Sequence, residues 1–181
     1  MNEQHVITLL KKGGVGVLPT DTLYGLVGSA LLPDAVLRIY ELKRRNETKP
    51  LIVLIAEVSD IEQFGVVLSE QLENRLAKYW PGAYSIRLPI IDDQFEYLSR
   101  GMDTIAFRLP DTEELREFLR ETGPLVAPSA NIENLPPATT IAEAKRYFGT
   151  DVDFYIDGGE LRGKASTVIE FDDEEVIIHR E

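Results

Sequence analysis

Three polar stretches of the chain carry side chains that could bind a charged ligand. PTDTLYGL, at residues 19–26, follows the apolar run 15–18, and PSAN, at residues 128–131, follows the apolar run 124–127. Each stretch is therefore predicted to be a polar loop at the end of a buried strand, where an α/β sheet usually holds its ligand. A cationic segment, residues 43–49, supplies the charge that an anion needs. We expect the three stretches to meet at one site.

The side chains in these loops favour anion binding over covalent catalysis. The chain has no cysteine and only two histidines, His5 and His179, so neither a thiolate nucleophile nor a zinc site is supported. The loops offer hydroxyls, one amide and cations: Thr20, Thr22, Ser129, Thr139, Ser166, Thr167, Asn131, Arg45, Lys49, Arg108 and Arg180. Such groups bind polyphosphates and stabilise the charge that develops during group transfer. From the residues alone, the prediction is an anion and nucleotide site.

The cationic segment has two interpretations. Residues 43–45 (KRR) end a predicted helix, where the helix dipole favours cations, so they could form an ordinary solvated helix end. Lys49 differs, because Lys49-Pro50 leads directly into the apolar run 51–55, which is typical of a central strand. A lysine at the mouth of a central strand is better placed for a ligand than for solvent.

Arg108 lies in the run TIAFRL, residues 104–109, whose alternation predicts a strand. Thr104, Ala106 and Arg108 share one face of that strand. Their small side chains leave room for a ligand carboxylate or phosphate, which a guanidinium group can bind through two N–H groups. The alternative is a surface arginine at a sheet edge.

The adjacent pair Asp92-Asp93 could supply carboxylates to a metal ion. Two neighbouring aspartates point in different directions, however, and no third ligand is spaced with them, so we interpret the pair as a turn. No protein-bound metal site is predicted.

Strands and capped helices alternate along the chain and would position these loops. Helices are predicted at residues 2–12, 33–45, 59–65, 69–80, 111–123 and 140–149, from caps, helical spacing and glycine ends. Strands are predicted at residues 15–18, 51–55, 84–88, 104–109, 125–127, 154–156, 166–171 and 175–180, the last two as a hairpin. This order predicts an α/β fold with a mixed sheet flanked by helices, in a single domain of residues 1–181.

Composition limits the class of partner. The formal net charge of −12 repels polyanions at long range, so a broad nucleic-acid-binding surface is disfavoured, although a local basic pocket is compatible with it. No apolar run approaches the ~20 residues that span a bilayer, and residues 1–5 lack the features of a secretory signal. We expect a cytoplasmic protein with no membrane segment.

Five motifs, in chain order, resemble those of the YrdC-like, TsaC-type threonylcarbamoyl-AMP synthases. They are PTDTLYGL (19–26), KRRNETKPL (43–51), TIAFRLP (104–110), PSAN (128–131) and DGGELRGKASTVIEF (157–171). The resemblance implies a twisted, open α/β sheet with a concave cationic cavity. It also implies that L-threonine, bicarbonate and ATP, the last with Mg²⁺, give threonylcarbamoyl-AMP and pyrophosphate. The product would pass to a transferase complex that modifies an adenosine beside the anticodon of certain tRNAs.

The resemblance also implies roles for individual residues. Threonine would be held by Thr22, Arg108, Ser129 and Ser166, with Arg108 on its carboxylate and Ser166 at the junction of the two substrates. ATP would be held by Arg45, Lys49, Thr104, Asn131, Thr139 and Arg180, of which Arg45 and Lys49 would act in catalysis. Two departures from the motifs affect these contacts: Leu54 stands where longer relatives often have a histidine, and Glu133-Asn134 replaces a Ser-Gly pair.

Two other functions fit the same resemblance. One is a non-catalytic module of this fold that binds double-stranded RNA or tRNA, which the charge of −12 disfavours. The other is an accessory domain of a carbamoyl-transferring maturation enzyme, which the absence of zinc-finger cysteines disfavours.

Overall fold

The computed structural model describes residues 2–91, 93–172 and 175–180. The helices are α1 (Glu3–Lys11), α2 (Pro33–Lys43), α3 (Glu70–Leu76), α4 (Glu96–Ser99), α5 (Glu113–Thr122) and α6 (Ile141–Phe148), with 3-10 helices at Val58–Phe64 and Asp93–Phe95. The strands are β1 (Gly16–Pro19), β2 (Tyr24–Ser29), β3 (Ile52–Leu54), β4 (Tyr84–Pro89), β5 (Thr104–Arg108), β6 (Leu125–Val126), β7 (Phe154–Tyr155), β8 (Thr167–Asp172) and β9 (Glu175–Arg180). The turn predicted at Asp92-Asp93 includes Asp92, which lies outside the described residues.

The strands form one mixed sheet in the order β7-β1-β2-β6-β3-β5-β4-β8-β9. The pairs β1/β7, β3/β5 and β4/β8 are parallel, and the others are antiparallel. The prediction of a mixed α/β sheet flanked by helices is confirmed. In the described part of the chain, no helix combines the length and apolar content that a membrane crossing requires.

Helices cover the two faces of the sheet unequally. On one face, α2, α3, α4 and α6 contribute to a large hydrophobic core. On the other face, α1 and α5 pack on residues of β7, β1, β2, β6 and β3. Residues of β5, β4, β8 and β9 on that second face line a cavity instead. The uncovered half of the sheet is therefore the floor of a concave surface.

Local sequence signals explain most of the helix ends. The side chain of Asn2 accepts a hydrogen bond from the backbone N–H of His5 and begins α1, and Thr140 caps α6 in the same way through Glu143. Gly65, at φ 80°, ends the first 3-10 helix. The reciprocal cap of that helix joins Glu57 and Asp60, so the helix begins at Val58, one residue before the predicted start at residue 59.

The strand β2 was not predicted. Its sequence, YGLVGS, contains two glycines, which weaken a strand pattern. Gly28 is closely packed: a Cβ there would lie 3.2 Å from the Cδ1 atom of Ile39 and 3.3 Å from the Cγ2 atom of Val15, so these side chains would have to shift slightly. Since β2 pairs antiparallel with β1, the PTDT stretch is the tip of a β-hairpin.

Candidate functional site

A cavity of about 370 Å³ lies above the floor formed by β3, β5, β4, β8 and β9. Its volume is within the range of ligand pockets, roughly 300–1,000 Å³. Seven of the predicted site residues line it: Thr22, Arg45, Lys49, Arg108, Ser129, Ser166 and Arg180. These residues come from positions 22 to 180 of the chain. The three polar stretches identified in the sequence therefore meet at one cavity.

The lining of the cavity is strongly cationic. Its charged side chains are Arg45, Lys49, Arg87, Arg108 and Arg180, joined by His179, and none of the described lining residues is an aspartate or glutamate. This composition contrasts with the net charge of −12 for the whole chain. Burial, with the positive charges of Arg45 and Arg108, lowers the pKa of Arg180. The cations repel one another, so the cavity favours an anionic ligand.

Thr20 builds the tip of the β1–β2 hairpin. Its hydroxyl donates to the carbonyl oxygen of Leu23 at 2.7 Å and accepts from the backbone N–H groups of Thr22 and Leu23, both at 3.2 Å. The Thr22 hydroxyl lies 3.1 Å from the Thr20 hydroxyl and accepts from the guanidinium of Arg108, and Thr22 lines the cavity.

Arg108 is buried in the cavity floor, with 5% of the residue exposed. Its Nη2 atom pairs with the carboxylate of Asp21, and Nη1 donates to the Thr22 hydroxyl at 3.0 Å. Its Nε–H is buried without a partner among the described residues. An unpaired buried donor costs about 1–3 kcal/mol, so the described residues leave one polar group of Arg108 unsatisfied. The alternative of a surface arginine at a sheet edge is wrong, because β5 lies between β3 and β4.

Burial lowers the pKa of Arg108, and the negative charge of Asp21 opposes that effect. Asp21 also accepts a hydrogen bond from the backbone N–H of Asp111 at 3.2 Å. The Asp21 carboxylate at the tip of the hairpin therefore binds two other parts of the chain. One is Arg108 of β5, and the other is the backbone at Asp111, which leads into α5.

Lys43 holds the PSAN loop from below. Its ammonium donates to the backbone carbonyls of Ser129 and Asn131 and to Oδ1 of Asn131. Three acceptors match the three N–H groups of an ammonium ion. Burial lowers the pKa of Lys43 to about 7, and the charge of Arg45 acts in the same direction. The solvated helix end is therefore a wrong interpretation for Lys43, which is 2% exposed.

Asn131 is used within the loop and does not line the cavity. Its amide nitrogen donates to the carbonyls of Ile132 at 3.0 Å and Leu135 at 2.7 Å, while Oδ1 accepts from the Ser129 hydroxyl at 2.7 Å. Thr104 is buried in β5 and Thr139 donates its hydroxyl to Glu143 at 2.9 Å. Neither residue lines the cavity, so the nucleotide contacts assigned to these three residues stay predictions.

Glu133 positions the cationic segment. Its Oε1 atom pairs with the Lys49 ammonium at 2.7 Å, and Oε2 accepts from the backbone N–H of Asn46 at 2.8 Å. These two contacts, with Lys49 the larger cause, lower the pKa of Glu133. Arg45 donates to the carbonyls of Lys49 and Pro50. Glu133-Asn134 stands where the family motif has a Ser-Gly pair. This departure places the Glu133 carboxylate beside Lys49, which is predicted to act in catalysis.

A loop at residues 157–166, here called the strap, crosses the hairpin tip. The Tyr24 hydroxyl accepts from the Gly158 N–H at 2.8 Å and donates to the Gly159 carbonyl at 2.7 Å. A Cβ on Gly163 would lie 2.0 Å from the Thr22 carbonyl oxygen, so only glycine allows this approach. The strap delivers Ser166 to the cavity.

Sequence reasoning missed Arg87 and His179 as lining residues. The position of Arg87 could have been found, because it shares one face of the predicted strand 84–88 with Ser85 and alternates with the apolar Ile86 and Leu88. His179 could not, because it is a neighbour of Arg180 and a regular strand would turn the two side chains to opposite faces.

The α/β sheet and its cationic, hydroxyl-lined cavity define a site that favours an anionic ligand at the open half of a mixed sheet. The model of the Sua5_yciO_yrdC family, described as "Telomere recombination", matches residues 8–181. The chain belongs to this family, and the resemblance identified in the sequence is confirmed.

Individual relatives agree with this assignment. The chain is 34% identical to a protein of Bacillus subtilis named threonylcarbamoyl-AMP synthase, over 95% of this chain and 51% of that protein. It is 33% identical to a putative threonylcarbamoyl-AMP synthase of Methanocaldococcus jannaschii, over 100% and 89%. A crystal structure of P. abyssi Sua5 complexed with L-threonine superposes with a TM-score of 0.87 at 31% identity, over 97% of this chain and 52% of that one. The chain thus spans about half the length of the first and third of these proteins.

Proposed function

We propose that the chain is an L-threonylcarbamoyladenylate synthase, a nucleotidyltransferase that uses L-threonine, bicarbonate and ATP. The observation that carries the proposal is the cavity with five cations and no carboxylate among its described lining residues, in an otherwise acidic chain. The names of the relatives support it, as does the similarity to the crystal structure of P. abyssi Sua5 complexed with L-threonine.

Threonine is proposed to bind at the hairpin side of the cavity. The guanidinium of Arg108, which lines the cavity, is a donor for its carboxylate, and the hydroxyls of Thr22, Ser129 and Ser166 surround the same space. A guanidinium group binds a carboxylate through two N–H groups, which favours an amino acid carboxylate at this position.

ATP is proposed to place its phosphates among Arg45, Lys49 and Arg180. The threonine amine and bicarbonate form a carbamate and water, and a carbamate oxygen attacks the α-phosphorus while the bond to pyrophosphate breaks. The carbamate is already an anion, so no strong general base is needed at this step. Arg45 and Lys49 stabilise the charge that develops on the α-phosphate and on the leaving pyrophosphate.

The lining residues do not fit a protein-held Mg²⁺, because this ion prefers carboxylate oxygens and the described lining has none. The described residues also contain no group of three or more aspartates, glutamates or histidines that could hold a metal ion. The Mg²⁺ expected with ATP would be carried by the phosphates, and no step above depends on it.

The test is pyrophosphate release that requires both threonine and bicarbonate. We expect Lys49→Ala to lower this release strongly, because the ammonium at the cavity mouth is lost. Lys78→Ala is the matched control, since Lys78 is exposed and outside the lining. Unchanged pyrophosphate release by Lys49→Ala would contradict the catalytic role of Lys49. Pyrophosphate release by the wild type that does not depend on threonine would contradict the proposed function.

Further partners belong to the same proposal. They are a transferase complex that takes the product, and tRNA or double-stranded RNA bound directly. A salt series of double-stranded RNA binding tests the direct contact, since affinity that falls steeply with salt indicates phosphate neutralisation. The cytoplasmic location stays a prediction, which fractionation of producing cells would test.

A further inference from the structure

Ser85 of β4 is linked to the cavity through one other residue. Its hydroxyl oxygen lies 2.8 Å from the hydroxyl oxygen of Ser166, at the end of the strap. Ser166 lines the cavity, whereas Ser85 does not, and the two residues are 2% and 0% exposed. Ser85 shares its face of β4 with the lining residue Arg87, because alternate residues of a strand point the same way. Ser85 therefore lies behind Ser166, on the cavity side of the sheet.

The hydrogens of the two hydroxyls decide which serine donates. Each hydroxyl has one hydrogen, so their contact uses one hydrogen and leaves the other. If Ser166 donated, the remaining hydrogen would belong to Ser85, which has no second hydrogen-bond partner among the described residues and is closed to solvent. A buried donor without an acceptor is unfavourable. If Ser85 donates, the remaining hydrogen belongs to Ser166, where a ligand in the cavity can accept it.

The guanidinium of Arg180 acts in the same direction. Its Nη2 atom donates to the backbone carbonyl of Ser166 at 2.8 Å and lies 3.5 Å from the Ser166 hydroxyl oxygen. A cation attracts the lone pairs of that oxygen and repels its hydrogen. With Ser85 and Arg180 both on the lone-pair side, the Ser166 hydroxyl turns its hydrogen towards the cavity.

We propose that Ser85 is a positioning residue, which fixes the Ser166 hydroxyl as a hydrogen-bond donor to an oxygen atom of the ligand. A hydroxyl held in this way favours a carboxylate or phosphate oxygen and disfavours an ammonium group, which needs an acceptor. The identification of the ligand as threonine rests on the proposed function, and Ser166 would then contact an oxygen of threonine and not its amine. The hydrogen bond between the two serines does not depend on that identification.

The first experiment is a double-mutant cycle, measured by calorimetric titration of the full chain with L-threonine. Ser85→Ala should weaken binding about fivefold, the typical net contribution of one neutral hydrogen bond. In a Ser166→Ala background the same change should have no further effect, because Ser85 acts through Ser166. Ser85→Thr should bind more tightly than Ser85→Val, which has the same shape without a hydroxyl. Ser99→Ala is the matched control, since Ser99 is 3% exposed and outside the lining.

Urea unfolding of the same variants tests the hydrogen bond without any ligand. Ser166→Ala leaves the buried Ser85 hydroxyl without its acceptor. This variant should therefore be less stable than Ser85→Ala, in which the Ser166 hydroxyl still faces the cavity. Removing both hydroxyls should recover part of the loss. If the double variant is no more stable than Ser166→Ala, Ser85 does not depend on Ser166 as its acceptor and the proposal is wrong.

The titrations separate a positioning role from a structural one. If Ser85→Ala leaves threonine affinity unchanged, or weakens it equally with and without the Ser166 hydroxyl, the proposal is wrong. It is also wrong if Ser85→Val binds threonine as tightly as Ser85→Thr. If the wild type binds no threonine, the proposed function is contradicted, and the cycle is measured with inorganic pyrophosphate. Wild-type affinity of Ser85→Ala for pyrophosphate would then contradict the positioning role as well.

Discussion

Removing the carboxylate of Asp21 should show how far the stability of the fold and the binding of threonine depend on the ion pair between Asp21 and Arg108. The side chains of Asp21 and Arg108 are each 6% exposed. Asp21→Ala leaves the guanidinium buried with its charge uncompensated, and its Nε–H already lacks a partner among the residues that the structure describes. The loss also frees the backbone N–H of Asp111.

The magnitude follows from burial. Breaking a buried ion pair by removing one partner costs about 3–5 kcal/mol, because the remaining charge stays desolvated. For a chain of this length, 1 kcal/mol corresponds to about 2–4 °C, so the melting temperature should fall by roughly 6–20 °C. Threonine binding should weaken as well, because Arg108 loses the group that orients it.

The assay is urea unfolding of Asp21→Ala, Arg108→Met and the double variant Asp21→Leu/Arg108→Met. Replacing a buried pair by apolar groups is often close to neutral, so the double variant should be more stable than Asp21→Ala. It should still fail to bind threonine. The control is Glu160→Gln, which breaks the exposed pair with Arg162 and should leave stability unchanged.

If the free energy of unfolding of Asp21→Ala lies within about 1 kcal/mol of the wild-type value, the reasoning is wrong, because a loss of that size is typical of an exposed ion pair. A double variant that is less stable than both single variants would refute the argument from desolvation. Either result would mean that Asp21 and Arg108 are better hydrated than their burial indicates.

Two further predictions concern the supports of the cavity. Gly163→Ala should push the strap away from the Thr22 carbonyl and lower the affinity for threonine about tenfold, which lies within the ~1–3 kcal/mol cost of overpacking. A calorimetric titration with threonine measures this loss, and an unchanged affinity would contradict the prediction. For Lys43, a folded pKa of about 7 lies below the ordinary 10.5. Between these values the unfolded chain holds a proton that the folded chain has released, so raising the pH stabilises the fold by at most about 1.4 kcal/mol per unit. Urea unfolding should show a larger free energy of unfolding at pH 9 than at pH 7 in the wild type, and no such gain in Lys43→Met. If both proteins change equally, the three acceptors keep Lys43 charged in the folded state.

Predictions from the sequence succeeded where a local pattern determined the outcome. Alternation in residues 104–109 placed Ala106 and Arg108 on one face, and both line the cavity. The position of Lys49 before an apolar run correctly located it at the end of a central strand. In each case the information lay within a few residues of the position that it explained.

Predictions failed where a distant segment decided the outcome. Lys43 has the spacing of a solvated helix end, and the three oxygen atoms of Ser129 and Asn131 that accept from its ammonium make its burial favourable. Glu133 has no local signal for its contact with Lys49, which is 84 residues away. His179 reaches the cavity through a change of register with β8, and no periodicity within β9 reports that change. These contacts depend on tertiary packing, and a local sequence pattern carries no information about which distant segments pack together.

The last strand supplies both Arg180 and His179 to the cavity, and this has a consequence for biosynthesis. The hairpin tip with Thr22 is made first, but at about 5–20 residues per second a ribosome needs roughly 8–32 s more to reach residue 180. During that interval the nascent chain can bury its early strands while its cationic floor is still incomplete. A growing polypeptide should therefore acquire affinity for polyanions late and abruptly, well after most of its core has formed.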